Sequence, residues 1–415
     1  MSSQPWHLFD VYGIEIEYMV VDRQTLTVRP IVDRILRDAN DRLVNELPHG
    51  EITWCNELAR HVVELKCHPP LPRVEGAADL FQRNIEQLNQ RLADHQAMLL
   101  PGGMHPWMDP DRELALWPSE NREIYQAYDD IFSCRGHGWA NLQSVQINLP
   151  YANSDEFGRL HAAIRCVLPL LCGLAASTPY ADGRYSGFLD YRMEVYRHNS
   201  RRVPQVAGAV MPESVDTPEA YQQQILTPMY QAIAPLDPNQ VLQEDWLNSR
   251  GAIPRFERQS IEIRTLDSQE CIAADIAIVD AVSSLTRGLC EERWSSRQQQ
   301  RDLPDNLAIA VFIDSLTQAE NAEVDSRIWS ELFDLPKRHR TLGTLWGELI
   351  NKLVGEGMLQ RRSEAPLETI ISRGTLASRL VRAIDAEPTS AVLAEHYSQL
   401  AHCLNDNQMF NTAHG

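Results

Sequence analysis

Four short stretches decide the reading of this chain: GIEIEY at residues 13–18, VVELKC at 62–67, VQINL at 145–149 and SIEIRTLD at 260–267. Each is rich in Ile, Val, Leu or Tyr, as strands are. Each also sets polar residues at i and i+2, which on a strand means one face. Those faces carry Glu15 and Glu17, Glu64 and Lys66, Gln146 and Asn148, and Glu262 and Arg264, with Glu57 seven residues before Glu64 in CNELARHVVE. A half-solvated antiparallel sheet produces the same alternation, and any one strand taken singly would be read that way. Together they differ, because four Glu, one Gln and one Asn stand against one Lys and one Arg. Carboxylates gathered on one face repel unless a cation lies among them. Mg²⁺ is a hard cation held by carboxylates together with substrate phosphates, and Mn²⁺ suits the same all-oxygen donors. No His-x-x-x-His pair or cysteine cluster offers a softer site.

Outward from these stretches, the pattern predicts strands over 12–21, 62–67, 144–149 and 260–266, alternating with helices over 76–99, 156–177, 218–234 and 273–292. After a polar run at 295–302 (SSRQQQRD) the texture changes to amphipathic helices over 305–320, 341–356, 364–386 and 389–404, with no strand signal. The chain is therefore expected to be α+β, with a core over 1–294 and a helical extension over 295–415 packed on it.

The bulk composition excludes several partners. A formal net charge of −19 leaves no basic face for nucleic acid. Only Lys66, Lys337 and Lys352 are lysines, so nearly every cation is an arginine, whose fork suits carboxylates and phosphates. The first residues, MSSQPWH, lack the basic and apolar regions of a secretory signal. The most apolar run, 166–176, is about half of what a membrane span needs. Eight cysteines without a C-x-x-C spacing point to reduced thiols in a cytoplasmic protein.

Mg²⁺ held by carboxylates suggests a nucleotide, yet there is no G-x-x-x-x-G-K-[ST] and no G-x-G-x-x-G after a strand. The glycines of GGMHPW at 102–107 make a turn instead. ATP would have to be held through its metals and through arginines such as Arg264.

These residues together resemble the glutamate–cysteine ligase family of the glutamine-synthetase-like superfamily. GIEIEY resembles that family's opening strand, the E-x₆-E of Glu57 and Glu64 its second acid pair, and LPGGMHPW its G-x-H-P turn. SVQINLP resembles the strand as the plant-type and proteobacterial branch writes it, where other branches have His in place of Gln146, and SIEIRTLD is similar to the E-x-R-x-L-D strand. Order and spacing agree over roughly residues 10–290. The resemblance implies a curved antiparallel sheet lining a funnel, with helices outside. It implies Glu15, Glu17, Glu64 and Glu262 as metal ligands, with Glu57 a further ligand or an acid behind them. Gln146 and Asn148 would line the nucleotide–metal region, and Arg264 would contact the transferred phosphoryl group.

The implied chemistry is ATP-dependent ligation, as in glutathione biosynthesis: a carboxylate becomes an acyl phosphate, and an amine displaces phosphate. His137, Asp267 and Glu57 are the candidates for the base. In GRYSGFLDYR (183–192), Arg192 matches the arginine of the family's G-x-x-S-x-R stretch near the acid substrate. Beyond it YRHNSRRVPQ replaces the family's aspartate-containing W-x-D-x-D-x-x-R pattern. There Arg197, Arg201 and Arg202 could hold a carboxylate bidentately or form a solvated basic turn. Glutamate and cysteine are the leading small-molecule substrates. A ligase making a different γ-glutamyl or amino-acid amide, a non-catalytic nucleotide or amino-acid binder, and a homo-oligomer all stay open.

Overall fold

A computed structural model describes residues 5–411. Residues 1–4 and 412–415, the outer ends of the two expected segments and part of the stretch read for a signal, lie outside the described residues.

Ten strands build the first part of the chain: β1 (Gly13–Asp22), β2 (Glu46–His49), β3 (Ile52–Asn56), β4 (Val62–Cys67), β5 (Ala97–Leu100), β6 (Ser144–Pro150), β7 (Tyr180–Ala181), β8 (Arg184–Tyr185), β9 (Ala252–Arg255) and β10 (Ser260–Asp267). Eight of them form one sheet in the order β2-β3-β4-β1-β6-β10-β9, with β5 also paired to β1, while β7 and β8 make a small hairpin of their own. Every pairing within the large sheet is antiparallel. The four strands expected from sequence are present to within a residue or two.

Alternation divides the two faces. Ile14, Ile16 and Tyr18 of β1, Val63 and Leu65 of β4, Val145, Ile147 and Leu149 of β6, and Ile261 and Ile263 of β10 are all essentially buried. The helices Ala77–Ala93, Ser154–Val167 and Ile272–Cys290 pack over the sheet. The acids fall on the opposite face. Gly13 allows this face to close up, because a Cβ there would meet Asn148 Cβ at 2.8 Å.

Several expected elements are cut shorter, each for a local reason. The helix expected over 76–99 ends at Ala93, and the apolar AMLL that follows is β5, paired with Met19–Asp22. The run over 156–177 breaks into a helix to Val167 and two short turns, with Pro169 at the break. The segment 364–386 splits into Arg361–Arg373 and Leu376–Ala383 at Gly374, whose φ is +84°. The polar run at 295–302 is not slack linker: Arg297–Arg301 is a helical turn with a Ser296/Gln299 capping box. A two-residue pairing of Glu323–Val324 with Arg340–Thr341 is the strand the tail was not expected to hold.

The tail helices lie directly on the sheet-covering layer. Helix Ile272–Cys290 is buried almost throughout its length, and it contacts Leu342–Gly355 and Arg361–Arg373 as well as the inner helices. Trp346 Nε1 donates to Leu170 O at 2.8 Å, Tyr180 OH donates to Ile384 O at 2.7 Å, and a buried Arg379–Glu270 ion pair of 2.5 Å crosses the same boundary. Wetting one Leu or Ile side chain costs about 2 kcal/mol. Leu345, Leu349, Leu353, Leu367 and Ile370 are all buried on the tail side. Their loss alone rivals the 5–15 kcal/mol by which a domain is stable. Deleting residues 295–411 is therefore expected to give insoluble or unfolded protein, and circular dichroism of the truncated chain checks it. A cooperative thermal transition in that fragment would contradict this packing.

Candidate active site

Register places the acids in a compact field. Glu17 of β1 lies opposite Glu64 of β4, and Glu15 lies opposite both Lys66 of β4 and Gln146 of β6. Asn148 of β6 stands between Gly13 and Glu262 of β10. Glu57 comes from the turn between β3 and β4. One oxygen from each of Glu17, Glu57 and Glu64 lies within 4.8 Å of the other two.

Three carboxylates so close raise each other's affinity for protons. Burial, then the charges of Glu17 and Glu15, push Glu57 up to about 8. Burial with Glu15 and Glu57 moves Glu64 well above the usual carboxylate range, and burial with Glu262 raises Glu15. Glu17 is raised by burial and relieved in part by donors: its Oε2 accepts from Ser144 N at 2.7 Å and Ser144 Oγ at 3.1 Å, and its Oε1 from Gln146 Nε2 at 3.0 Å. Asn148 Nδ2 donates to Glu15 Oε1 at 3.2 Å. The donor set is hard oxygen, buried, and starved of positive charge at its centre, which fits a divalent cation of the Mg²⁺ kind.

These residues floor a cavity of about 470 Å³, within the range of small-molecule sites. Glu15, Glu17, Glu57, Glu64 and Gln146 line it together with Arg192, Arg255, Arg258 and Arg264, and Arg258 Nη1 lies 3.9 Å from Glu15 Oε1. Tyr125, Tyr128, Trp139 and Trp246 form an aromatic wall, in which the Tyr128 ring centre lies 5.0 Å from that of Trp139 and 6.0 Å from that of Trp246. A second recess of about 430 Å³ shares Glu15, Lys66 and Arg258 with the first and is lined by Val11, Pro69, Pro70, Pro150 and Asn148.

Not every expected residue joins this field. Glu262 is 1% exposed and lines neither cavity. Its Oε1 accepts from Arg264 Nε at 3.0 Å and Nη2 at 2.6 Å, and its Oε2 from Arg255 Nη1 at 3.0 Å. Burial would raise this carboxyl, but Arg264 and Arg255 override burial and hold it low. In this structure guanidinium groups from Arg255 and Arg264 meet both oxygens of Glu262. Arg192 borders the cavity but is buried, its Nε paired with Asp267; Nη2 has no hydrogen-bond partner. Arg201 and Arg202 are exposed and outside the cavity, with Arg202 Nη1 donating to Ile131 O at 2.7 Å.

Of the base candidates, only Glu57 borders the cavity. Asp267 accepts from Ser177 N at 2.8 Å and Thr178 Oγ1 at 3.0 Å behind it. His137 Nε2 pairs with Asp182 at 3.1 Å, also away from the cavity. Tyr125 and Tyr128 of the cavity lining stand on helix Arg122–Phe132. Arg255, Arg258, Trp139 and Trp246 carry no signal in spacing.

The fold recurs in known ligases. A bifunctional glutathione synthetase from Pasteurella multocida superposes with a TM-score of 0.63 at 13% identity, over 96% of this chain and 53% of that one. Glutamate–cysteine ligase from Francisella tularensis, in complex with AMP, superposes with a TM-score of 0.58 at 11% identity, over 95% and 89%. An Archaeoglobus fulgidus protein of undescribed function is 32% identical over 87% of this chain and 95% of its own length. A Haloquadratum walsbyi glutamate–cysteine ligase is 23% identical over 68% and 71%. A Corynebacterium efficiens protein named as a glutamate–cysteine ligase 2 is 23% identical over 45% and 46%, so the match spans about half of each chain. By class the protein is an ATP-dependent carbon–nitrogen ligase. The profile of the glutamate–cysteine ligase family 2 (GCS2) matches residues 11–397, and the chain belongs to that family. Among the described residues no helix is long and apolar enough to cross a membrane.

Removing one of the crowded carboxylates should stabilise the protein when no cation is present. Charges about 4 Å apart repel by ~1–4 kcal/mol at effective dielectric constants of 80 to 20, a cost met where the acids are ionised, above the value of about 8 to which Glu57 is pushed. Glu64→Gln is expected to raise the metal-free melting temperature by about 2 °C or more and to shrink the rise that Mg²⁺ gives the native chain. Scanning fluorimetry with EDTA or with Mg²⁺ reads both; a metal-free melting temperature that falls would contradict the repulsion.

Proposed function

We propose that this ligase joins glutamate, as an acyl phosphate, to an amine, with cysteine the leading acceptor. The observation that supports this most is a single cavity lined by both a carboxylate cluster and four arginines. That arrangement serves a polyphosphate that must be bound by cations and relieved of charge as its terminal group moves.

Glu17, Glu57 and Glu64 would hold a divalent cation, Mg²⁺ or Mn²⁺, which when bound neutralises phosphate charge. Gln146 and Asn148 donate to Glu17 and Glu15 and so keep those carboxylates turned to the cavity. The apolar recess beyond Glu15 and Arg258 suits the base of ATP. Arg264, which lines the cavity, would meet the phosphoryl group. Arg192, with a donor unpartnered and Asp267 fixing its plane, receives the carboxylate of the amino acid. The aromatic wall excludes water from the acyl phosphate, which would otherwise hydrolyse. Residues 295–411 serve as a packed extension of this core, and Gln146 supports affinity with the plant-type branch. Occurrence in the cytoplasm follows the cysteine pattern.

Phosphate release from Mg·ATP, with glutamate constant and a panel of amines varied from cysteine onward, tests the proposal. Release is expected only when both substrates are present, with the γ-glutamyl amide seen by mass spectrometry. Arg264→Ala should lower kcat on the order of 10²–10³-fold. Binding of Mg·ATP without release for any pair, or an unaffected Arg264→Ala, would contradict it.

A further inference from the structure

We propose that Trp6 is the stacking lid of the second recess, where its ring lies against the purine base of ATP. This rests on the ligase reading, in which that recess takes the base, and adds a binding residue that precedes the sheet.

Two chain segments next to the sheet build the recess. β4 runs out into His68-Pro69-Pro70-Leu71. Tyr12, just ahead of β1, pairs with Leu71, its N–H donating to Leu71 O at 2.7 Å and Leu71 N–H donating back to Tyr12 O at 2.8 Å. Trp6, Val11, Pro69 and Pro70 of those segments line the recess. The stretch that carries Trp6 is clipped in place. His7 Nδ1 lies 2.7 Å from Glu156 Oε1, and Leu8 N donates to Glu156 Oε2 at 3.3 Å. His7 N also donates to Asp10 Oδ2 at 2.9 Å, and Asp10 N to His7 O at 3.1 Å. The residue next to Trp6 is therefore held by both its side chain and its backbone, which keeps the indole at the recess.

Exposure and continuity agree. Trp6 is 47% exposed, while Trp54, Trp117, Trp329 and Trp346 are buried. Among the described residues no other ring stacks on it. A large ring left half in water forgoes burial that a flat ligand restores. A purine presents such a face, and base–aromatic stacking asks for no particular base edge. Val11, Pro69 and Pro70 add apolar surface beside the indole. Glu15, Lys66 and Arg258 line both the recess and the larger cavity, so the two spaces adjoin. A base under Trp6 therefore leaves its phosphates on the side of the carboxylate cluster and the arginines.

The test measures binding without acid or amine, so it stands apart from turnover. By calorimetry, Mg·ATP affinity is expected to fall about tenfold in Trp6→Ala and to stay within about threefold in Trp6→Phe, which keeps a ring. Affinity for Mg·tripolyphosphate, which has no base, is expected to be the same in the native chain and in both variants. Unchanged Mg·ATP affinity in Trp6→Ala overturns the lid. An equal loss for Mg·ATP and Mg·tripolyphosphate also overturns it, because the variant then disturbs the site as a whole. So does a change of oligomeric state in Trp6→Ala, read by light scattering, with Mg·ATP affinity intact; the exposed ring then belongs to a contact with a second copy of the chain. Failure of the native chain to bind Mg·ATP would reject the ligase reading itself.

Discussion

Mutual repulsion among buried carboxylates is the constraint around which this protein is built. A sheet face bearing Glu15, Glu17 and Glu64, with Glu57 brought in by a turn, is costly to desolvate. The fold meets that cost locally. Ser144 and Gln146 donate to Glu17, Asn148 donates to Glu15, and arginines lining the same cavity supply opposite charge. What remains uncompensated is the centre of the Glu17–Glu57–Glu64 triangle. Stability is spent there to create a place where only a cation is comfortable.

The rest of the architecture serves to hold that face rigid. Adjacent strands fix the carboxylate spacing through register, since a slip of one residue would turn every acid into the core. The other face is pinned by a helical layer, and that layer is itself covered by the tail, so that helix Ile272–Cys290 is sandwiched. Among the described residues the tail contributes none to the cavity; its part is to cover the helix that backs the sheet.

Much of this was legible in the sequence because period-two patterning with unusual polar residues survives reading one strand at a time. Glu15, Glu17, Glu64 and Gln146 faced one surface as expected. Glu262 shared that face too, but what it touched was not readable. Its partner Arg255 sits on β9, where AIPR has a proline, is four residues long, and gives no alternation. Recognising a hairpin from RFERQS to SIEIRTLD would have set Arg255 beside Glu262. The AMLL of β5 continues a helical apolar pattern, and periodicity cannot separate a short apolar strand from a helix end. Trp139 and Trp246 reach the cavity from connecting segments far apart in sequence, and only tertiary packing brings them together.

The most direct test of the account is trapping of the acyl phosphate. With Mg·ATP, glutamate and hydroxylamine in place of an acceptor amine, the protein should form γ-glutamyl hydroxamate in amounts matching the phosphate released, dependent on ATP and on Glu64. Phosphate release without hydroxamate, or hydroxamate formed without ATP, would contradict activation of a carboxylate at this site.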